Sequence, residues 1–309
     1  VGGRVTPLDE VVRGLAAVGA PVRRDEVLAR KTWWRVGGPA DVFVEVERRD
    51  QLVELARLVA RCEVPLLVLG NASNLLVADA GVRGVVARLT GELASAEREG
   101  AALKIGGGAR LVQLLKRAER EGWTGLQMTA GVPGTMGGAV KMNAGMKLGE
   151  VSDGLLDVDL VLAGGDHGTL PASALRLSYR HSELPPGSVV AAARMRLTDE
   201  DPAAVFTAVN EHLDYRARTQ PLDVPTCGST FRNPEGHTAG RLIEQAGLKG
   251  HRVGGAVVSE KHANFLVNTG TATATELRAL IHAVQARVQE ASGVWLQPEV
   301  VLAGDWGAS

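Results

Sequence analysis

Between Ala130 and Gly145 the chain reads A-G-V-P-G-T-M-G-G-A-V-K-M-N-A-G, with five glycines in sixteen residues and Pro133 among them. So little side chain remains that the stretch cannot build a core, and its backbone is open to whatever approaches it. Successive N–H groups in such a turn make a concave anion site that suits a pyrophosphate without a lysine. The plain alternative is a tight connection between two strands. A second loop of the same character tips the balance. Gly70-Asn71-Ala72-Ser73-Asn74-Leu75-Leu76 follows the apolar run Val64–Leu69, so a strand ends in a small-residue turn with three polar side chains. Two such loops in one chain could grip the two ends of a dinucleotide.

Other residues offer acid–base chemistry. Ser229 lies between Gly228 and Thr230, ahead of Phe231, and its plain reading is a small residue at a turn. A hydrolase nucleophile is disfavoured because position 231 is Phe and the G-x-S-x-G spacing is absent. Arg180, in Tyr179-Arg180-His181-Ser182, is either a solvated charge or a permanently cationic, bidentate donor for a carboxylate that gains charge. Glu299 falls in an alternating, strand-like run, where an outward polar position is the plain reading. Cys227 has no base beside it and reads as a small buried residue. The seven histidines show no H-E-x-x-H pairing, so no metal is expected. Asn233 and the stretch Lys261–Phe265 supply hydrogen-bonding groups of a kind common in loops.

Taken in order, Gly70–Leu76, Ala130–Gly145, Ser178–Ser182, Gly228–Pro234 and Gln297–Val300 resemble the motifs of the UDP-N-acetylenolpyruvoylglucosamine reductase (MurB) family, flavoenzymes of peptidoglycan synthesis, in its shorter, type II-like form. The likeness runs from Thr32 to Gly304. It implies an α+β chain made of a two-part FAD-binding domain of the vanillyl-alcohol-oxidase (PCMH) type and a C-terminal α+β substrate-binding domain. It implies FAD held by Gly70, Asn71, Ala72, Ser73, Asn74, Leu75, Ala130, Gly131, Pro133, Gly134, Gly137, Gly138, Asn143, Ala144 and Gly145. The attachment is expected to be non-covalent, since neither loop places His or Cys next to its glycines.

The resemblance further implies NADPH as reducing co-substrate and the enolpyruvyl ether of UDP-N-acetylglucosamine as acceptor, with Tyr179, Gln220, Asn233 and His262 binding substrate. Both substrates would use one site in turn, so ping-pong kinetics are expected. Arg180 and Glu299 would stabilise the enolate formed on reduction, and Ser229 would protonate it. A neutral hydroxyl can do so only when its partner is a strongly basic carbanion formed in the same site. A glutamate beside the same carboxylate makes sense only if it is protonated or acts through a water, so a raised pKa is expected at Glu299. Two departures stand out: Ala72 replaces a usual glycine, which should slightly tighten cofactor packing, and Met146-Lys147-Leu148 replaces a small or aromatic continuation after N-A-G. Two other readings stay open. One is an FAD oxidase of the same fold acting on an alcohol or hydroxy acid; the other is a flavin or sugar-nucleotide binding module without turnover.

Periodicity indicates the elements that must carry these residues. A short helix is expected over Leu8–Val18, then a polar connector. The alternating Ala40–Val46 reads as a strand, and Asp50 as the cap of a helix whose Leu52, Leu55, Ala56 and Val59 share a face. Strands are expected at Val64–Leu69, Val82–Leu89, Ala101–Gly107, Leu156–Leu162, Val189–Leu197, Gly255–Ser259, Asn264–Val267 and Leu296–Leu302. Helices are expected at Ala109–Arg120, Pro202–Arg218 with Asp201 as cap, Ala239–Ala246 and Ala274–Ala291. Gly106-Gly107-Gly108 invites a dinucleotide fingerprint, but the third glycine of G-x-G-x-x-G is missing and no Walker motif occurs. The division expected is an N-terminal helix and connector at 1–29, the FAD-binding domain at 30–198 and the substrate domain at 199–309.

At 309 residues the chain can build two cores, and its 45% hydrophobic and 22% charged residues are those of an ordinary globular protein. A net charge of -1 argues against nucleic-acid binding. Two cysteines without C-x-x-C spacing, together with the lack of an apolar leader or a run long enough to span a bilayer, lead to the expectation of a cytoplasmic protein, and a monomer is expected.

Overall fold

The computed structural model describes residues 6–307; residues 1–5 and 308–309, and with them the start of the expected N-terminal segment, lie outside the described residues. Leu52, Leu55, Ala56 and Val59 do recur on one helical face, over Arg49–Arg61, and all are buried. The residue at the N-cap is Arg48, not Asp50; Asp50 sits in the first turn, where its carboxylate faces the positive end of the helix and accepts from the Arg48 guanidinium at 2.9 Å. That helix, with Pro7–Ala17, shares a core with Val42, Val44, Val46, Val85 and Ala87 of a four-stranded sheet. The order of that sheet is Val22–Val27, Pro39–Val46, Val82–Leu89, Leu66–Val68. The first of these strands lies in the expected polar connector. Its sequence V-R-R-D-E-V buries little, so an edge position is the only one it suits.

A second sheet of five antiparallel strands runs in the order His167–Pro171, Leu155–Val161, Val189–Arg196, Ala102–Gly106, Ala96–Glu99. Its centre is Val189–Arg196, whose first five residues are all buried, as a strand covered on both faces requires. The Gly164-Gly165 turn leads into a hairpin partner, His167–Pro171, that shows no apolar run because all of it but Leu170 is exposed. The triple glycine 106–108 is a packing device: a Cβ at Gly107 would overlap the Val190 carbonyl oxygen, and one at Gly108 that of Leu89.

The chain divides into two compact units, and each is built from several stretches. One holds the described residues up to Glu26, Asp41–Asn71 and Gly84–Leu213; the other holds Val27–Ala40, Ala72–Arg83 and the described residues from Asp214 onward. A single linear boundary near residue 200 does not represent this division. In the second unit, the three-stranded sheet Arg252–Val253, Ala256–Val258, Leu266–Asn268 and the helices Ala239–Gln245 and Ala274–Ser292 surround a core that includes Trp34, Leu76, Phe231, Leu277, Ile281 and Leu296. The long helix is closed by a capping box of Thr273 with Glu276 and by Gly293 in the left-handed conformation. The segment 27–40 is stapled into this unit at Trp34, whose ring N–H donates to the Leu266 carbonyl and whose carbonyl accepts from Asn268, both at 2.8 Å. The expected strand Leu296–Leu302 is reduced to Val301–Ala303, paired in parallel with Leu75–Val77. Among the described residues no helix is long and apolar enough to cross a membrane.

Candidate functional site

In the first unit the Gly70–Asn71 end of the first glycine loop meets the second. The Asn71 side chain donates to the Pro133 carbonyl at 2.5 Å, and a Cβ on Gly70 would lie 2.5 Å from the Thr135 hydroxyl, so only glycine allows the approach. The second stretch is not bare throughout, since Met136–Lys141 forms a short helix. The Gly137 amide is spent on the Gly107 carbonyl, and that of Ala144 on Ala139. Among the described residues of this unit, the backbone amides of Asn71, Gly134 and Thr135 take no acceptor from the chain. Donors left over on small residues are what pyrophosphate oxygens require, so these loops fit FAD. Ala72 has a positive φ of 49°, a conformation that costs a residue with a Cβ roughly 1–2 kcal/mol.

Arg180 is joined to the second loop. Ser178 and His181 exchange backbone hydrogen bonds of 3.1 and 3.0 Å, so Tyr179 and Arg180 form the tip of a tight turn. Arg180 has φ 55°, which costs a non-glycine residue roughly 1–3 kcal/mol and is found mostly at functional sites. Its Nη2 donates to the Gly145 carbonyl at 2.8 Å, its Nη1 lies 3.8 Å from the Glu150 carboxylate, and its guanidinium sits 4.9 Å from the centroid of the Tyr179 ring. Asn143, fully buried, donates to Glu150 at 2.9 Å and to the Ser178 carbonyl at 3.0 Å, and accepts from the Ser152 amide at 3.0 Å. A residue expected to hold the cofactor thus has its side chain committed to the turn that carries Arg180.

In the second unit, Ser229 and Glu299 lie on neighbouring segments. Ser229 bridges to Phe265 and Phe231 to Pro298, and the Glu299 amide donates to the Thr230 carbonyl at 2.8 Å. The Asn74 side chain donates to the Glu299 carbonyl at 3.0 Å, which fixes the Glu299 backbone to the 72–76 part of the first loop. Asn264 holds Phe231 from both sides, accepting its N–H at 2.9 Å and donating to its carbonyl at 2.8 Å. Cys227 is buried, with its thiol pushed up to about 12 by loss of solvent, so no thiolate nucleophile is available.

A cavity of about 360 Å³ in this unit is lined by Ser229, Asn233, His262 and Asn264 together with Arg241, Glu244, Lys249 and Lys261. Three of the expected residues therefore share one space. Glu299 and Gln220, also of this unit, do not line it, and the Gln220 amide oxygen is taken by the buried Arg216 at 2.9 Å. Lys249 pairs with Glu244 at 2.7 Å and Lys261 donates to the Ala217 carbonyl at 2.7 Å, while Arg241 has no partner among the described residues. Three cations against one carboxylate favour an anionic ligand. Burial lowers the pKa of His262, and its Nδ1 accepts the Asn264 N–H at 3.2 Å, so the neutral ring carries its proton on Nε2 and can donate. Arg241 and Lys249 were missed by motif reading; the Gly250 that follows Lys249 was the local signal. Glu150 was missed too, and nothing beside it in the sequence marks it.

Residues 220–303 match the family model described as UDP-N-acetylenolpyruvoylglucosamine reductase, C-terminal domain, and residues 40–170 that described as FAD binding domain. The UDP-N-acetylenolpyruvoylglucosamine reductase of Anaeromyxobacter dehalogenans strain 2CP-C is 49% identical over 283 residues, 92% of this chain and 86% of that protein. UDP-N-acetylenolpyruvoylglucosamine reductase 2 of Symbiobacterium thermophilum is 43% identical over 304 residues, 98% of each. The crystal structure of the Thermus caldophilus enzyme of that name (MurB) superposes with a TM-score of 0.80 at 38% identity, covering 92% of this chain and 98% of that one.

Proposed function

The chain belongs to the UDP-N-acetylenolpyruvoylglucosamine reductase family, and on that premise we propose that it uses NADPH and FAD to reduce the enolpyruvyl ether of UDP-N-acetylglucosamine to UDP-N-acetylmuramate. The reading is carried above all by Ser229, which lines a cation-rich cavity with Asn233 and His262 and lies one residue from the carbonyl that holds the Glu299 amide. Gly70–Leu75 and Ala130–Gly145 would hold the FAD, with the leftover amides of both loops on its phosphates. When bound, that group supplies hydride to the enolpyruvyl methylene carbon.

The residues of the chain do the rest. Asn233, His262, Arg241, Lys249 and Lys261 bind the anionic sugar nucleotide, and Tyr179 completes the proposed substrate contacts. Arg180 stabilises the negative charge that reaches the substrate carboxylate as the enolate forms, the use to which a fixed guanidinium is best suited. Glu299 shares that carboxylate in its protonated form, so it adds a donor and not a repelling charge. Ser229 then gives its proton to the carbanionic carbon. Family membership favours this reading over an alcohol oxidase or a binding module. A cytoplasmic, monomeric protein belongs to the same proposal.

The test is a visible spectrum of the purified protein, taken anaerobically with NADPH and then with the enolpyruvyl nucleotide. A flavin band that bleaches and then returns is expected; a bleached band that the nucleotide leaves unchanged would refute the reductase. Glu299→Gln should remove the alkaline limb of the kcat profile, because the group is required in its protonated form, and an unchanged profile would exclude a titrating role for Glu299.

A further inference from the structure

The cradle at Gly70–Asn71 and Gly134–Thr135 is flanked by two arginines that its motifs do not include. Arg88 stands beside the first loop: Val68 is the strand partner of Ala87, and the Leu69 N–H, one residue ahead of Gly70, donates to the Ala87 carbonyl at 2.7 Å. Arg110 stands beside the second loop. It bridges to Thr135, with the Leu111 amide donating to the Gly134 carbonyl at 3.1 Å and the Met136 amide to the Ala109 carbonyl at 2.9 Å. The two arginines are drawn together where Gly108 packs on the Leu89 carbonyl, a contact too close for any Cβ.

Ala87 and Leu89 lie in the helical core, so alternation turns Arg88 to the other face of its sheet, as it turns Glu45 between the buried Val44 and Val46. Glu45 is itself engaged with Arg23 at 2.8 Å. Among the described residues the side chains of Arg88 and Arg110 make no hydrogen bond and no ion pair. Arg88 is half-buried, and burial, then the charge of Arg110, hold its guanidinium below the ordinary arginine value, against the pull of Glu45. Two like charges this close, one of them partly out of water, cost stability unless a bound anion offsets them. Backbone amides, for their part, give a diphosphate its hydrogen bonds without balancing its charge.

We propose that Arg88 and Arg110 supply the positive charge for the diphosphate of FAD, completing a cradle in which the amides of Asn71, Gly134 and Thr135 supply hydrogen bonds. Neither arginine takes part in the reduction; they set how tightly FAD is held and how far salt weakens it. The inference rests on the reading of these two loops as the flavin site.

The flavin-free full-length protein is titrated with FAD, and with riboflavin as the probe that lacks the diphosphate, by following flavin fluorescence. Arg110 is exposed and its side chain caps nothing, so Arg110→Gln tests charge alone. That substitution and Arg88→Gln should each weaken FAD binding about tenfold, with riboflavin held within about twofold, while Arg110→Lys keeps FAD within about threefold. Added salt should weaken FAD binding to wild type more steeply than to the double variant, and this slope decides the matter where riboflavin binds too weakly to measure. Without flavin, the thermal midpoint of either charge-removing variant should hold or rise, because the repulsion is relieved, while the upward shift given by FAD shrinks. FAD affinities within about twofold of wild type, equal losses for FAD and riboflavin, or weaker binding of the sugar nucleotide alone would overturn the assignment. Should Arg88→Gln fail to fold, Arg110→Gln and Arg110→Lys carry the same comparison. A wild-type protein that takes up no FAD would sink the reading of the loops, whereas wild-type binding matched by the variants would sink only the arginines.

Discussion

Arg180 in one unit and the Ser229–Glu299 segments in the other are held by opposite means. Arg180 stands on a strained turn whose Ser178 carbonyl accepts from the Asn143 side chain, and its guanidinium meets the Gly145 carbonyl, the Glu150 carboxylate and the Tyr179 ring. Ser229 and Glu299 lie on segments paired through the backbones of Thr230, Phe231, Phe265 and Pro298, with the Asn74 and Asn264 side chains holding main-chain groups there. The contrast follows from the work proposed for each. A cation meant to receive developing charge must be aimed, and aiming a long side chain takes polar partners. A serine has a single short side chain, so placing its backbone places its hydroxyl.

The largest effect expected is at Ser229. Ser229→Ala should slow reoxidation by the nucleotide by about 10²–10⁴-fold while leaving flavin reduction by NADPH intact; turnover within tenfold of wild type would remove Ser229 as proton donor. Next comes Asn143→Ala, which strips a buried amide from three partners and should destabilise the protein by about 3 kcal/mol in urea unfolding. A loss below about 1 kcal/mol would mean that the Arg180 turn does not depend on its side-chain network.

The opposite result is expected in the other unit. The Thr230 hydroxyl is buried without a partner among the described residues, so Thr230→Val should be neutral or stabilise by about 1 kcal/mol, and a clear loss of stability would mean that its side chain, and not only its backbone pairing, holds the segment. The smallest effect concerns pH. His262 has a folded-state pKa below its ordinary 6.5, chiefly through burial, so its contribution to stability is present above pH 6.5 and is lost as pH falls through the lowered value. His262→Gln should flatten that acid loss, and identical pH–stability curves for the two proteins would rule out the histidine as its source.

The same distinction between local and distant determinants governs what could be read from the chain. The helix Ala274–Ser292 is legible because its apolar face, its Thr273–Glu276 box and its closing Gly293 all lie within twenty or so residues. Asp201 accepts the Ala203 N–H at 3.1 Å, as its position before the helix Pro202–Thr219 suggests. The strands Val22–Val27 and His167–Pro171 are not legible, because each sits at the edge of its sheet and buries too little to show alternation. Gln297–Val300 looks like a strand and forms only isolated bridges, since its partners at Thr230 and Phe231 are themselves in irregular chain.

The amino-acid order by itself determined the chemistry on offer: two loops of small residues with donors to spare, a serine in a turn, an arginine between polar neighbours, a glutamate in an alternating run, and no thiol or metal set to compete with them. It also determined most helices and central strands, because their periodicity and caps are properties of adjacent residues. Only the tertiary structure decided which of those groups share a space. It put Asn233 and His262 on the cavity of Ser229 and left Gln220 on Arg216, drew Arg241 and Lys249 into the same wall, and set Glu150 beside Arg180. Those outcomes depend on pairings such as Gly145 with Glu150 and Glu299 with Thr230, and a pairing register is settled by packing across the fold, which no single stretch of sequence contains.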